Sequence, residues 1–324
     1  MTNEEIRDAA VEELKLTTAG WRKPNGQPNY PSGTAPATTH WGKAMSLLAQ
    51  IGASVPPPPP PGVTPPPAIA GKGYSLVWRD EFDTLSYNNA GSQNDTYTWQ
   101  RPWNLPNTDG SVSVANSVLT ITYTGGVGGK SMTLATRKGS SSSPNLTGSF
   151  VPPVYFEASI RPPTEIGQYW QWWMGSLGQS YGQCCTTPAW WTAMGGSGQL
   201  LNPEIDIVEG WYNWSSPTGI YTHTVHSNTA GGTGSGATCG IADSGPTISV
   251  SEGSLTNGNF HRFGCWWDTN GTTFYQDDVA TAAKVTSPLM QPQPQFLILG
   301  LTAFPYAPSG SWSMDVDWVR VWKP

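Results

Sequence analysis

The sequence predicts an all-β sandwich or jelly roll over most of its length, and three observations support this fold class. Between residues 74 and 324, short runs rich in β-branched and aromatic residues alternate with Gly, Pro, Ser and Asn. The chain contains 37 Gly and 30 Pro, residue types that interrupt helices and mark turns. It has no apolar run long enough for a membrane-spanning helix.

Eight of these runs are predicted strands, and with the turn signals between them they fit one domain over residues 74–324. They are Tyr74 to Trp78, Val118 to Tyr123, Tyr155 to Ile160, Glu204 to Val208, Tyr221 to His226, Phe260 to Trp267, Phe296 to Leu301 and Met314 to Trp322.

Residues 1–52 are predicted to form a small helical N-terminal module. Thr2 and Glu5 have the spacing of a capping box, and apolar residues follow them at helical intervals. A second apolar stripe runs through Trp41, Met45 and Leu48. So short a module buries little core and is expected to dock on something larger. A solubility or folding appendage and an attachment module are both open interpretations.

Residues 53–73 are predicted to be a proline-rich linker. Pro56 to Pro61 is an unbroken proline run, which adopts an extended polyproline II helix and acts as a semi-rigid spacer. A ligand for a proline-binding partner is the alternative. Met1 to Lys15 is acidic and polar, so we expect no signal peptide.

The composition argues against a nucleic-acid partner. The chain has 16 Lys+Arg against 22 Asp+Glu, and only 12% of its residues are charged. Its 17 Trp outnumber its 8 Phe, and Trp is favoured where a flat apolar face must also present a polar edge. These numbers favour an uncharged or weakly charged ligand.

The four cysteines are scattered and do not form the closely spaced pairs of a metal site. Disulfides and buried free thiols are both open interpretations for Cys184, Cys185, Cys239 and Cys265.

One predicted strand contains three acids. Strand side chains alternate, so Glu204 and Asp206 share one face while the intervening isoleucines face the core. Glu209 breaks this alternation. A β-bulge at residues 207–208 would return Glu209, and Trp211 with it, to the face of the other two acids. Like-charge repulsion makes such a trio costly unless it has a use.

Two neighbouring carboxyl groups are what retaining glycoside hydrolysis requires, one ionised to attack the sugar and one protonated to assist the leaving oxygen. The third acid can raise the pKa of a neighbour or hold the nucleophile in one rotamer. A calcium site and a solvated strand face are the alternatives. Calcium prefers acidic and carbonyl ligands on a flexible turn, whereas these acids alternate with aliphatic residues along a strand.

The chain carries the pattern Glu-x-Asp-x-x-Glu from Glu204 to Glu209, and further blocks occur around it in a fixed order. On these motifs the sequence resembles glycoside hydrolase family 16, which contains laminarinases, lichenases, agarases and carrageenases. The resemblance implies a concanavalin-like jelly roll over residues 74–324. The other blocks are Leu76 to Asp83, Tyr155 to Pro163, Tyr169 to Gly175, Thr224 to His226, Phe260 to Asp268, Tyr275 to Asp278 and Val316 to Val321.

This resemblance implies a role for each acid. Glu204 would be the nucleophile, Glu209 the general acid/base and Asp206 the supporting carboxylate. His226 occupies a position where many members place a histidine beside the carboxylates; a structural histidine is the alternative. Asp317 matches a position that binds structural calcium in some members, although a buried acid at a strand end is the plainer explanation. No cofactor is expected to be required.

Exposed aromatic side chains are expected to bind the sugar rings, whose C–H faces are apolar. Trp211 has the parity to lie beside the acids. Trp173 matches the second Trp of a family block in which Tyr169 replaces the first, and Trp170 lies within the same block. Trp103 lies in a predicted loop that could line the rim. Core packing is the alternative for each of these tryptophans.

The sequence therefore predicts an endo-acting, retaining glycoside hydrolase that cleaves a β-linked polysaccharide, with β-1,3-glucan as the first candidate substrate. Galactan-cleaving members share the bulged motif. A lectin-like binding or tail-adhesion protein is the alternative function. Residues 1–52 resemble modules of phage tail proteins, so we also expect extracellular action and attachment to a virion or cell surface through these residues.

Overall fold

The computed structural model divides the chain into two compact units, Met1–Gly62 and Val63–Pro324. The predicted helical module of residues 1–52 and the proline run Pro56 to Pro61 lie outside the described residues. At residues 211–213, 216–220, 227–228 and 241–251 the structure describes the backbone alone. The structure describes residues 63–89, 95–101, 110–124, 131–139, 144–163, 169–176, 186–193, 204–213, 216–228, 241–251, 255, 258–268, 270–281, 285, 293–302 and 310–324.

Almost all regular structure within the described ranges is β. The strands are β1 (Ser75–Asp80), β2 (Tyr87–Asn88), β3 (Trp99–Gln100), β4 (Gly110–Ala115), β5 (Val118–Tyr123), β6 (Ser131–Ala135), β7 (Lys138–Gly139), β8 (Pro144–Asn145), β9 (Ser149–Phe150), β10 (Val154–Arg161), β11 (Tyr169–Ser176), β12 (Glu204–Asn213), β13 (Ser216–Asn228), β14 (Ile241–Ser251), β15 (His261–Asp268), β16 (Gly271–Gln276), β17 (Val279–Ala280), β18 (Gln295–Thr302) and β19 (Trp312–Lys323).

A short helix, α1 (Ala189–Ala193), interrupts the β structure between β11 and β12. The backbone N–H of Trp191 donates to the carbonyl of Pro188, which precedes the helix. No helix in the described part of the chain has the length and apolarity needed to cross a membrane.

Eight strands form the first sheet, sheet I, in the order β17-β16-β15-β10-β19-β5-β4, with β1 also paired to β19. The long β19 organises this sheet. Its first half pairs with β5 and its second half with β1, while β10 runs along its other side. All of these pairs are antiparallel, which suits strands connected by short turns.

Nine strands form the second sheet, sheet II, in the order β14-β13-β12-β11-β18-β6-β3-β2, with β9 paired to β18. The acidic strand β12 lies between β11 and β13 and is antiparallel to both. A strand with neighbours on both sides has its backbone fixed by two ladders of hydrogen bonds, so its side chains are held in defined positions.

One continuous hydrophobic core lies between the two sheets. It includes Phe156 of sheet I and Trp172 and Leu299 of sheet II, all fully buried. The ring of His223 on β13 stacks on Phe274 of β16 across the sandwich, with ring centroids 4.7 Å apart. The predicted all-β sandwich is therefore confirmed, and the alternation along each strand sends every second side chain into this core.

The segment 63–73, which belongs to the predicted linker, packs against sheet I. Its turn is closed by the N–H of Ile69, which donates to the Pro66 carbonyl at 3.0 Å. Ile69 is only 1% exposed and lies in a small cluster with Tyr155 and Trp322. The packed unit therefore begins at Val63, earlier than the predicted Tyr74, because this segment covers an aromatic patch on the sheet.

Replacing Ile69 with Ala is expected to lower the free energy of unfolding by about 2–4 kcal/mol, because it removes buried methyl groups and leaves a cavity. Val279→Ala is the matched control, since Val279 is 69% exposed and its truncation should change stability by about 0.5 kcal/mol or less. Denaturant unfolding of both variants measures the difference. Equal stability of the two variants would mean that segment 63–73 contributes nothing to the β domain.

Candidate active site

A β-bulge in β12 brings the three acids to one face of sheet II. In the pairing of β12 with β13, Asp206 and Glu209 lie opposite Thr224 and Thr222, so residues 207–208 share a single partner position. The pairing of β12 with β11 is irregular at the same place. Both residues of the bulge are aliphatic and fully buried. The predicted bulge is thus confirmed, and it places the acids on the face turned away from the core, here called the outer face.

The histidine opposite the bulge, His223, fixes its backbone. The Nδ1 atom of His223 contacts the carbonyl oxygen of Ile207 within the bulge. A carbonyl oxygen only accepts, so Nδ1 carries the proton and donates. Burial lowers the pKa of His223 to about 4, although the carbonyl contact acts in the opposite direction. The ring is therefore neutral at neutral pH and serves as a structural support that the sequence analysis did not single out.

His226 lies beside two of the acids. Its backbone pairs directly with that of Glu204 across β12 and β13. The Nε2 atom is 3.0 Å from Oδ2 of Asp206 and 3.9 Å from Oε1 of Glu204. The side chains of Glu204 and His226 are 20% and 22% exposed, whereas Asp206 is 1% exposed. The carboxyl of Glu204 and the ring of His226 can therefore be reached from solvent, and the carboxyl of Asp206 lies beneath them.

Glu209 is held from two sides. The hydroxyl of Tyr169 on β11 donates to Oε1 of Glu209, and the carboxyl of Asp206 is hydrogen-bonded to that of Glu209. Burial and the charge of Glu209 raise the pKa of Tyr169 well above its ordinary value, so the phenol keeps its proton and remains a donor. Tyr169 was noted in the sequence only as a departure from the family block, and its contact with the acid shows why a donor stands there.

The three carboxyl groups share one electrostatic environment. Burial raises the pKa of Glu204 well above its ordinary value, and the charge of Asp206 adds to this effect while His226 opposes it. Burial and the charge of Glu209 likewise raise the pKa of Asp206. Burial raises the pKa of Glu209, although the hydroxyl of Tyr169 and the proximity of His226 act against it. Like charges this close cannot all ionise together, so the site retains protons near neutral pH.

The aromatic residues of β11 divide between the two faces of the sheet. Trp173 pairs with Asp206 in the strand register and is partly exposed on the outer face. Trp170 is 2% exposed and packs in the core, with its ring centroid 5.4 Å from that of Phe263. The prediction that Trp170 binds substrate is therefore wrong, because strand alternation sends this side chain inward.

Two further predicted binding residues lack described side chains. The backbone of Trp211 continues β12 and pairs with Ile220, but its side chain lies outside the described set. Trp103 lies outside the described residues altogether.

Cys265 is buried with a free thiol, and burial raises its pKa far above the ordinary value. Cys184, Cys185 and Cys239 also lie outside the described residues.

Asp317 lies on β19 among charged and polar side chains. The guanidinium of Arg320 donates to both carboxylate oxygens of Glu81 at 2.9 Å. Burial raises the pKa of Asp317, and the charge of Arg320 opposes this rise. The carboxyl of Asp317 is hydrogen-bonded to Ser159. The single positive charge of Arg320 therefore offsets part of the negative charge of Glu81 and Asp317.

Gly210 follows the last acid and touches the buried Trp170. A Cβ atom at Gly210 would lie 1.9 Å from Nε1 of Trp170, far inside any permitted contact. Gly210→Ala is therefore expected to cost about 3 kcal/mol or more in stability, as measured by denaturant unfolding, because the packed indole cannot move aside. The double variant Gly210→Ala/Trp170→Phe should recover part of the loss, since the smaller ring frees space. If the stability losses of Gly210→Ala and Trp170→Phe were strictly additive in the double variant, the contact between these two residues would be contradicted.

No protein-family model matches the sequence, and no curated protein matches it. Solved structures of the same architecture do exist. Laminarinase from Flavobacterium sp. UMI-01 superposes with a TM-score of 0.52 at 17% identity, covering 77% of this chain and 100% of that one. The laminarinase catalytic domain from Thermotoga maritima MSB8 gives 0.50 at 20% identity, covering 78% and 98%. LamA from Z. galactanivorans, solved with laminaritriose and laminaritetraose, gives 0.50 at 15%, covering 76% and 98%.

These similarities establish the fold class. The β unit of this chain is a jelly-roll sandwich of the kind found in laminarinases, and the expected concanavalin-like architecture is confirmed. The architecture alone does not define a reaction, since one fold supports many functions, so the chemistry has to be argued from the outer face of sheet II.

Proposed function

We propose that this protein is an endo-acting, retaining glycoside hydrolase of family 16 that cleaves a β-linked glucan. The observation that carries the proposal is the trio of carboxyl groups on the outer face, held together by the bulge in β12. Folding must overcome the desolvation and mutual repulsion of these groups, so the arrangement is costly in stability. Retaining hydrolysis gives this arrangement a use, because it requires one ionised and one protonated carboxyl group side by side.

In the first step, the carboxylate of Glu204 attacks the anomeric carbon while the protonated carboxyl of Glu209 gives its proton to the departing glycosidic oxygen. The bond between the anomeric carbon and that oxygen breaks, and an ester between the sugar and Glu204 forms. In the second step, ionised Glu209 takes a proton from water, and the water oxygen displaces Glu204. The product keeps the original anomeric configuration, and both carboxyl groups return to their starting states.

Neighbouring groups act on each of the three acids. Burial raises the pKa of Glu204 well above its ordinary value, and His226, 3.9 Å away, opposes this rise. Burial raises the pKa of Glu209, which favours a protonated acid at the start of the reaction. Asp206 is hydrogen-bonded to Glu209, so it orients this acid, and its Oδ2 lies 3.0 Å from Nε2 of His226. No metal or cofactor enters these steps.

A β-1,3-glucan is the substrate we propose to test first. The superposed structures include proteins named laminarinases, and one of them was solved with laminaritriose and laminaritetraose. The partly exposed Trp173 next to Asp206 in the register offers an apolar surface for a sugar ring. The low content of Lys and Arg argues against a sulfated polysaccharide, which would need a cationic pocket.

A panel of polysaccharides tests the proposal against the lectin-like alternative. Laminarin, a mixed-linkage β-glucan, agarose and carrageenan are each incubated with the full chain, and the products are followed by time-course chromatography. We expect laminarin to be shortened to a ladder of oligosaccharides, the pattern of endo cleavage. Binding to a polysaccharide without any shortening would overturn the proposed reaction and favour the lectin.

We also propose that residues 1–52 attach the enzyme to a virion tail or another surface, so that it acts outside the cell. The proline run supports this arrangement, since proline-rich segments act as semi-rigid spacers. A protein that starts at Val63 should hydrolyse glucan at the rate of the full chain. A large loss of rate would contradict a purely anchoring role.

A further inference from the structure

Three potential metal-ligand atoms converge on the outer face of sheet II. They come from the carboxyl groups of Glu204 and Asp206 and the imidazole of His226, and all lie within 4.8 Å of one another. Nε2 of His226 is 3.0 Å from one carboxylate oxygen and 3.9 Å from the other. Ligand atoms about 2.1 Å from a tetrahedral zinc ion are about 3.4 Å apart, so the distances of 3.0 and 3.9 Å bracket that of a zinc site.

Asp206 supplies a second, independent indication. Its carboxyl is 1% exposed, yet Oδ2 has no hydrogen-bond partner among the described residues, and neither has Nδ1 of His226. The 3.0 Å contact between Oδ2 and Nε2 therefore lacks the alignment of a hydrogen bond. A ring nitrogen that binds a metal points at the ion and not at the oxygen of a fellow ligand, so a misaligned contact fits shared coordination.

The ligand set selects the class of ion. Calcium takes six to eight oxygen ligands, whereas imidazole nitrogen favours zinc and related transition metals. Two carboxylates balance the charge of a divalent ion and lose their mutual repulsion when it binds. Because Glu204 and His226 remain partly exposed, the ion can enter from solvent and complete its coordination with water.

We propose that a divalent transition-metal ion of the zinc class binds between Glu204, Asp206 and His226 and inhibits the protein. Binding is independent of the proposed function, and only the inhibition rests on it. The ion engages the lone pairs of Glu204, the proposed nucleophile, and occupies the space where the sugar would be attacked. Hydrolysis should therefore cease in proportion to the fraction of protein that holds the ion.

Calorimetric titration of the full chain with zinc chloride, without polysaccharide, tests the binding. His226→Gln should weaken the tightest binding by at least about tenfold, because it removes the nitrogen ligand. His261→Gln is the matched control, since His261 lies on sheet I, paired with Asp277 at 2.8 Å, and its loss should leave zinc binding unchanged. Glu204→Gln is a second test should His226→Gln fail to fold, and it should also weaken binding.

Laminarin hydrolysis at increasing zinc concentration tests the inhibition. We expect the rate to fall with the occupancy measured by calorimetry and to return when a chelator is added, while calcium at the same concentration has no effect. Equal zinc binding by the wild type and both ligand variants would overturn the site, and so would the absence of binding. Hydrolysis that continues at zinc saturation would overturn the inhibition alone. Zinc binding without hydrolysis of any glucan would leave the site standing and overturn the proposed function.

Discussion

Glu204→Gln is expected to reduce laminarin hydrolysis by about 10⁴-fold or more while leaving laminarin binding largely intact. Gln preserves the size of the side chain but cannot form the ester intermediate that retaining hydrolysis requires. Reducing-end release measures the rate, and affinity electrophoresis measures binding. Asp83→Asn is the control, because Asp83 is exposed and accepts a hydrogen bond from Ser117 in the turn between β4 and β5, away from the acids.

Azide separates the role of Glu204 from that of Glu209. In Glu204→Ala, azide can fill the vacated space and attack the sugar directly, which gives the inverted α-glycosyl azide from an activated β-glycoside. In Glu209→Ala, the ester with Glu204 still forms and azide displaces it, which gives the β-glycosyl azide. The same anomer from both variants, or wild-type turnover by Glu204→Gln, would contradict the assignment of the nucleophile.

The bulge in β12 shows why part of this site can be predicted from sequence alone. A strand that alternates Glu, Ile, Asp, Ile and then gives Val and Glu cannot keep its last acid out of the core without an extra residue. The penalty for a buried, unpaired carboxylate is so large that the pattern fixes the backbone irregularity. The structure has this irregularity at residues 207–208, as predicted.

The face of β11 is a case in which sequence information is insufficient. Aromatic residues stand at both parities of this strand, so its hydrophobic pattern does not tell which side faces the core. The pairing with β12 decides the matter: Trp173 lies opposite Asp206, and Trp170 is sent inward against Gly210. The role of Tyr169 follows from the same register, which is a long-range property of the fold.

The contact of His223 with the bulge and the packing of segment 63–73 also depend on distant partners. His223 is recognisable as a support only when the carbonyl of Ile207 is seen to lack a regular strand partner. Segment 63–73 continues a proline-rich stretch, and only the aromatic patch around Tyr155 and Trp322 explains why Ile69 is buried. Local composition therefore does not predict what such a segment covers.

Asp206→Asn is expected to abolish most hydrolysis and at the same time to stabilise the fold at neutral and alkaline pH. Burial and the charge of Glu209 raise the pKa of Asp206 in the folded state above its unfolded value. A group of this kind binds its proton more tightly when folded, so its ionisation as the pH rises through the folded pKa destabilises the protein. Asn has a similar volume and does not ionise, so this penalty disappears.

The stabilisation should reach about 1 kcal/mol and grow with pH, as for other relieved active-site strain. Thermal unfolding of Asp206→Asn and wild type at pH 5 and pH 8 measures it, and the difference in Tm should be larger at pH 8. Asp315→Asn is the control and should lower the stability of the fold, because Asp315 pairs with Arg161 and accepts a hydrogen bond from Thr120. If Asp206→Asn were destabilised at both pH values, the acid would be stabilising the fold, and the electrostatic cost assigned to the trio would be wrong.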